Sequence, residues 1–304
     1  MIRIEDLTKG YKEGRGIFDI SLDVKKGEIF GYVGTNGSGK TTTIRHIMGF
    51  LRPDSGQVLV KGMDSWKQST EIMKYVAYIP GEIAFPDIRT GTEFLRSQAE
   101  FLGVKDMTYA NRLIEKLQLD PSAVLKSMSK GMKQKTAIVA ALMAGKEILV
   151  LDEPTTGLDP LMRQAFIELI LEEKKKGRTI FMSSHIFEEI EDTCDHVALI
   201  KDGRLVEVAD MNDIRHHDMK TYKIEFFDDQ DYMAFKALDF HITDERPQYF
   251  QARVNIDDTD VNHLFSVLKG FKVKFISEIK YDLETYFNEI FRKEGNKNDK
   301  QTAF

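Results

Sequence analysis

Over the first sixty residues apolar and polar positions alternate in short runs. Ile2–Leu7, Phe18–Val24 and Gln57–Val60 read as half-buried strands. Glu28–Val33 is more continuously apolar and suits a strand covered on both faces. It feeds a glycine-rich turn and then Thr41–Phe50, where the spacing becomes helical. After a short strand at Tyr75–Pro80, residues about 87–145 keep the longer period: Phe94, Leu95, Ala99 and Leu102, then Leu113, Ile114 and Leu117, then Ile138, Ala141 and Leu142. Strand and helix then alternate at Lys146–Leu151, Arg163–Lys175, Thr179–Ser183 and Phe187–Thr193. The alternation predicts an α/β fold with a largely parallel sheet, interrupted by a helical insert.

Near residue 213 the texture changes, and His216-His217-Asp218 lies in a polar stretch. Strands are predicted at Thr221–Phe226, Tyr249–Val254 and Lys272–Ile279. Helices are predicted at Asp229–Leu238, Val261–Lys269 and Leu283–Phe291. This βαββαβ-like rhythm suggests a small α+β domain, ferredoxin-like in kind. The expected division is residues 1–213, holding the helical insert, then 214–295 as the small domain, and 296–304 as a flexible polar tail. Adjacent side chains point in different directions, so His216 and His217 read as a solvated linker and not as a metal pair.

Composition narrows the classes. A chain of 304 residues with 42% hydrophobic and 30% charged residues is ordinary for a soluble two-domain protein. A net charge of −6 gives no footprint for nucleic acid, and none is expected as a partner. The single cysteine, Cys194, excludes an intramolecular disulfide, and its neighbours Asp192 and Asp195 do not favour a thiolate, so a structural role is expected. No window approaches the ~18–20 apolar residues of a membrane span, and the first residues carry no signal-peptide pattern. Any work at a membrane is therefore expected to pass through a partner.

Chemistry enters at Gly34-Thr35-Asn36-Gly37-Ser38-Gly39-Lys40-Thr41, which fits G-x-x-x-x-G-K-[ST] at every position, after a buried strand and before a helix. Glycines let backbone N–H groups converge on phosphate oxygens, and the helix N-terminus adds the positive end of its dipole. Lys40 is expected to reach the β- and γ-phosphates of a nucleotide, and the Thr41 hydroxyl to take a position on Mg2+. Ile148–Leu151 is a central-strand run ending in Asp152-Glu153. At the carboxyl end of such a strand Asp152 suits Mg2+ and Glu153 suits polarising a water.

With these motifs the sequence resembles the nucleotide-binding subunit of ABC transporters over about residues 1–210. Ser129-Lys130-Gly131-Met132-Lys133-Gln134-Lys135 is similar to the signature loop, Gly157-Leu158-Asp159 to the D-loop, and His185 holds the switch-histidine position. Tyr11 fits the aromatic that stacks on adenine. The resemblance implies ATP held by Gly34, Asn36, Gly37, Ser38, Gly39, Lys40, Thr41 and Thr42, with Glu153 as base for the lytic water and His185 on the γ-phosphate. It also implies Ser129 and Gly131 acting on ATP bound by an opposing subunit, and Asp159 linking the two sites. A dimer follows, with itself or with a related subunit, together with a separate transmembrane permease at the cytoplasmic face of the membrane.

Two positions depart from the family pattern. Gly81 stands where a glutamine is usual, with Glu82 adjacent as a partial substitute. Lys130 and Met132 replace the usual glycine and glutamine of the signature. That signature, and the apolar stripe of Leu283, Tyr286, Phe287, Ile290 and Phe291, resemble bacterial exporters handling drugs, antibiotics or peptides, of the bacitracin- and daunorubicin-resistance type. The expectation is thus an exporter ATPase. Alternatives are an importer ATPase with a C-terminal ligand-sensing domain, or a soluble ABC ATPase outside transport.

Overall fold

The protein is described from a computed structural model, which covers residues 1–215, 219–288 and 290. The chain divides into two compact units, Met1–Met211 and Asn212 to the C-terminus.

The first unit opens with β1 (Ile2–Gly10), β2 (Gly16–Val24) and β3 (Ile29–Val33), followed by α1 (Lys40–Ile47). Next come β4 (Ser55–Val60), β5 (Met63–Asp64), α2 (Ser69–Ile72) and β6 (Val76–Ile79). The insert contributes α3 (Gly91–Leu102), α4 (Thr108–Lys116) and α5 (Lys130–Met143). The chain then runs through β7 (Ile148–Asp152), α6 (Pro160–Lys175), β8 (Thr179–Ser184), α7 (Phe187–Thr193), β9 (His196–Lys201) and β10 (Arg204–Asp210).

Two sheets result. β2-β1-β4-β5 is antiparallel, whereas β10-β9-β3-β8-β7-β6 is parallel except for β10. Every residue of β3, β7 and β8 is buried, as a parallel strand covered on both faces requires. One apolar core joins the sheets, and in it Phe181 stacks on Phe30 at 5.9 Å and tilts against Tyr32 at 5.3 Å. Cys194 is buried in this unit, as expected of a structural thiol.

Some boundaries differ from the sequence reading. α6 starts at Pro160, because Asp159 caps it and proline suits the first helical position. β9 and β10 form a hairpin that the reading lacks. Its signal is present as Asp202-Gly203, both at positive φ, between Ile200 and Leu205.

Of the insert's helices, α4 is held to α6 by charge. Thr90 caps α3, and α3 and α4 pack on α5. From α4, Arg112 reaches Glu172 at 2.8 Å and Lys116 reaches Glu168 and Glu172 at 3.0 and 3.1 Å. Beneath them Glu173 is fully buried and accepts from the Tyr109 hydroxyl while pairing with Lys176 and Arg178. Burial and the Glu173 charge push the Tyr109 phenol well above its ordinary value.

The second unit begins within α8 (Met211–Arg215). It contains β11 (Met219–Phe226), α9 (Asp229–Lys236), β12 (His241–Arg246), β13 (Gln251–Asp257), α10 (Val261–Leu268) and β14 (Val273–Ile279). The sheet order β12-β13-β11-β14, antiparallel throughout, is the βαββαβ topology. β12 carries no strand signal in the sequence, because nearly all of its side chains are polar, and they are exposed. A core around Phe226 and Phe235, 5.1 Å apart, fills one sheet face. Residues 283–288 are helical, with Leu283 and Phe287 buried. The His216–His217 linker, Phe291 and the tail 296–304 lie outside the described residues.

Removing Glu173 strands Arg178, whose side chain is only 13% exposed. Breaking such a buried pair costs about 3–5 kcal/mol. Glu173→Ala should therefore lower unfolding stability by about 3 kcal/mol in urea titration. Glu173→Gln, which keeps a partner for Tyr109, should lose less.

Candidate functional site

Strand order brings distant motifs to one edge. β8 lies between β3 and β7, with Val33 opposite Ser184 and Asp152 opposite Ser183. β6 pairs with β7, with Ile79 opposite Leu151. All four strands are parallel, so their carboxyl ends carry Gly34, His185, Asp152-Glu153 and Gly81 to the same side.

The phosphate loop is shaped by contacts that only glycine allows. A Cβ on Gly34 would fall 2.3 Å from the Ile200 carbonyl and 2.5 Å from Ser38 Oγ. Gly39 has φ +111°, and a Cβ there would meet Ile17 at 2.5 Å. The β9–β10 turn braces the loop from behind, where Gly203 N–H donates to the Ser38 carbonyl at 3.0 Å. Lys40, 5% exposed, donates to the carbonyls of Gly34 at 2.7 Å and Thr35 at 3.2 Å. Its ammonium also pairs with Glu153 Oε1 at 3.2 Å. Thr41 follows at the start of α1, and the Thr42 carbonyl accepts from His46.

The carboxylates are held differently. Asp152 is fully buried, and its Oδ1 accepts from Ser183 Oγ at 2.7 Å. Its Oδ2 is buried without a hydrogen-bond partner among the described residues, as is Ser38 Oγ. Glu153 sits at φ +48°, a left-handed conformation costing about 1–3 kcal/mol for a residue with a side chain. Ser183 holds it there, accepting its N–H on the carbonyl at 3.2 Å and on Oγ at 3.0 Å. The Glu153 carboxylate meets Lys40, His185 Nδ1 at 2.9 Å and the Thr156 hydroxyl at 3.3 Å. Burial acts to raise its pKa, but the Lys40 and His185 charges and hydrogen bonds outweigh burial, so it titrates below the ordinary glutamate range.

Beside this cluster lies a cleft of about 420 Å³ lined by Thr41, Arg45, Tyr78, Gly81, Glu82, Asp152 and Glu153. A Cβ on Gly81 would sit 3.2 Å from Asp152 Oδ2, so any side chain there would press on that oxygen. Burial and the Asp152 charge push the Tyr78 phenol up to about 12.

The other expected residues stand apart. Ser129 caps α5, its hydroxyl accepting the Met132 N–H at 3.2 Å. Asp159 caps α6, accepting the Met162 N–H at 3.0 Å. A Cβ on Gly131 would press on the Gly157 carbonyl at 2.7 Å, and Gln134 Nε2 donates to the Pro154 carbonyl at 2.7 Å. Among the described residues no hydrogen bond or ion pair is seen from Ser129, Gly131 or Asp159 to the Lys40–Glu153–His185 cluster. Tyr11 lies in the turn after β1 and is 47% exposed, which leaves its ring free to stack. Sequence reasoning missed Ser183 and Thr156, although both flank motif residues it singled out.

Because the Glu153 pKa is depressed, the stabilisation from its charge is present above the ordinary glutamate range. It is lost as pH falls through the lowered value. Lys40→Met should therefore move the Glu153 titration upward, as read by carboxyl-carbon NMR. Gly34→Ala should collapse the loop and abolish the melting-temperature shift produced by added ATP.

The chain matches the ABC transporter family over residues 17–156. It is 34% identical over 297 residues to the bacitracin transport ATP-binding protein BcrA of Bacillus licheniformis, covering 94% of this chain and 96% of that one. The linearmycin resistance ATP-binding protein LnrL of Bacillus subtilis (strain 168) is 33% identical over 219 residues, 70% of each chain. A solved ATP-binding subunit of an ABC transporter superposes with a TM-score of 0.64 at 33% identity, covering 71% of this chain and 92% of that one. With a phosphate loop, a buried lysine and paired carboxylates on one sheet edge, the chain belongs to the ABC transporter family as an ATP-binding, ATP-hydrolysing subunit.

Proposed function

We propose that this ATPase drives an exporter, moving a drug, antibiotic or peptide through a separate transmembrane permease at the cytoplasmic face of the membrane. The observation that carries the chemical half is the Lys40–Glu153–His185 cluster beside the cleft. The cargo class is supported by relatives named for bacitracin transport and linearmycin resistance. No helix among the described residues is long and apolar enough to cross a membrane, in keeping with a cargo path in another subunit.

In this reading the phosphates of ATP compete with Glu153 for Lys40, so nucleotide entry frees the carboxylate. Gly34, Asn36, Gly37, Ser38, Gly39, Lys40, Thr41 and Thr42 cradle the phosphates, and the adenine stacks on Tyr11. Glu153, ionised at neutral pH, takes a proton from the attacking water, and His185 holds the γ-phosphate side of the site. Thr41 and Asp152 would hold Mg2+, because a threonine hydroxyl and an unpartnered buried carboxylate oxygen are the hard donors that the ion takes. When bound, Mg2+ neutralises phosphate charge. Glu82, on the cleft wall beside Gly81, takes part of the role a glutamine would have.

Ser129 and Gly131 act on ATP held by a second ATP-binding subunit, identical or related. Their exposed helix N-terminus suits a phosphate. Asp159 links the two sites from the N-terminus of α6, the helix it caps.

Glu153→Gln should retain ATP binding while lowering kcat by about 10²–10⁴-fold. Size-exclusion chromatography with ATP should then show a trapped dimer, and capture from native membranes should recover a multi-span protein in stoichiometric yield. Normal turnover would remove Glu153 from the role, and recovery of soluble partners alone would overturn the transporter reading. Glu82→Ala should lower kcat and weaken metal dependence. An unchanged rate and metal dependence would remove Glu82 from the site.

A further inference from the structure

One buried carboxyl next to the site has no part in the chemistry above. Glu189, in α7, is 3% exposed. Its Oε2 accepts from the Ser184 hydroxyl at 3.1 Å, while Oε1 has no hydrogen-bond partner at standard geometry among the described residues. The Thr155 hydroxyl, itself 2% exposed, also bears on this carboxyl. Burial outweighs both hydroxyls and the more distant Arg163 and His185, and it holds the carboxyl above the ordinary glutamate range.

The two hydroxyls belong to different catalytic segments. Ser184 immediately precedes His185, and its Oγ also accepts the Ile186 N–H at 3.0 Å, so it fixes the backbone on both sides of the histidine. Thr155 lies in the turn after Glu153, where Thr156 N–H returns to the Glu153 carbonyl at 3.2 Å and Leu158 N–H to that of Thr155 at 2.9 Å. The carboxyl is fixed from its own side by α7, where the Thr193 hydroxyl donates to the Glu189 carbonyl at 2.6 Å.

We infer that Glu189 is a positioning residue for ATP hydrolysis. Its buried carboxyl ties the His185 loop to the turn that follows Glu153, and so sets the 2.9 Å approach of His185 to Glu153. This rests on the proposed roles of Glu153 and His185. A burial that served folding alone would be satisfied by any well-packed side chain. The tie instead requires a polar fork at this position, reaching Ser184 and Thr155.

The test is a double-mutant cycle on the full-length protein, reading kcat, KM for ATP and melting temperature. Glu189→Ala should lower kcat by about tenfold or more with KM within about twofold, while Glu189→Gln, an uncharged isostere, should stay within about threefold of the parent. In a His185→Ala background, Glu189→Ala should change kcat by less than about twofold, because a residue acting through His185 has nothing further to lose. Thr155→Val and Ser184→Ala should show the same loss and the same non-additivity. They carry the test if Glu189→Ala does not fold.

A reduced kcat in His185→Ala that multiplies in full with the Glu189→Ala or Thr155→Val loss would overturn this inference and leave the site reading intact. So would a Glu189→Gln variant as impaired as Glu189→Ala. A normal kcat in His185→Ala alone would overturn the site reading and this inference with it.

Discussion

The structure depends on the placement of β8 between β3 and β7. Parallel strands in one sheet end on the same side, and the order β3-β8-β7-β6 makes four separate loops neighbours there. The consequence is geometric before it is chemical. Val33 faces Ser184 and Asp152 faces Ser183, so the phosphate loop and the carboxylate pair each start one strand spacing from the histidine loop. All three strands are wholly buried, and slipping one by a residue would misplace every group at the edge.

Charge at that edge is arranged so that each buried group has an answer. Lys40, almost fully buried, is satisfied by two loop carbonyls and Glu153, and Glu153 by Lys40, His185 and Thr156. Asp152 is the exception, with one oxygen bound to Ser183 and the other unpartnered among the described residues. A buried carboxylate oxygen left so is expensive unless something else meets it. Gly81 bears on the same point, since any side chain there would begin 3.2 Å from that oxygen.

Much of this was legible in the sequence because the informative residues are constrained by backbone geometry. Gly34 and Gly39 are where a Cβ would collide, Lys40 opens the helix that follows one continuously apolar strand and its loop, and Asp152 ends another. Both β-α-β alternation and the βαββαβ rhythm follow from burial period, which the order of apolar and polar residues carries. What the sequence hid was lateral contact. Ser183 supports two carboxylates by lying opposite Asp152, a fact of strand order that no local pattern encodes. Gly203 braces the phosphate loop from more than 160 residues away in the chain, and β12 is too polar to announce itself. The sequence motifs point Ser129 to phosphate and Asp159 to linkage. The structure adds that each also caps a helix, and a cap is fixed in place by the helix it begins.

These caps matter for how the two halves of the first unit communicate. α5 belongs to the helical insert, yet its first turn touches the segment after Glu153 twice, through Gly131 against the Gly157 carbonyl and through Gln134 to the Pro154 carbonyl. Gly157 lies at φ +88° with Lys130 against it, so neither partner has room to shift alone. A displacement of α5 must therefore displace the turn from Pro154 to Gly157, which contains Thr155 and Thr156. Thr156 reaches Glu153, and Thr155 bears on Glu189 and through it on Ser184, next to His185. In the other direction α4 is locked to α6 by the buried Glu173, which holds the insert to the core on the side where α6 ends. The insert thus has one attachment made of paired charge and another made of backbone contact. The second runs into the residues that surround Glu153, so within the proposed mechanism it is a route by which motion of the insert would be felt at the γ-phosphate.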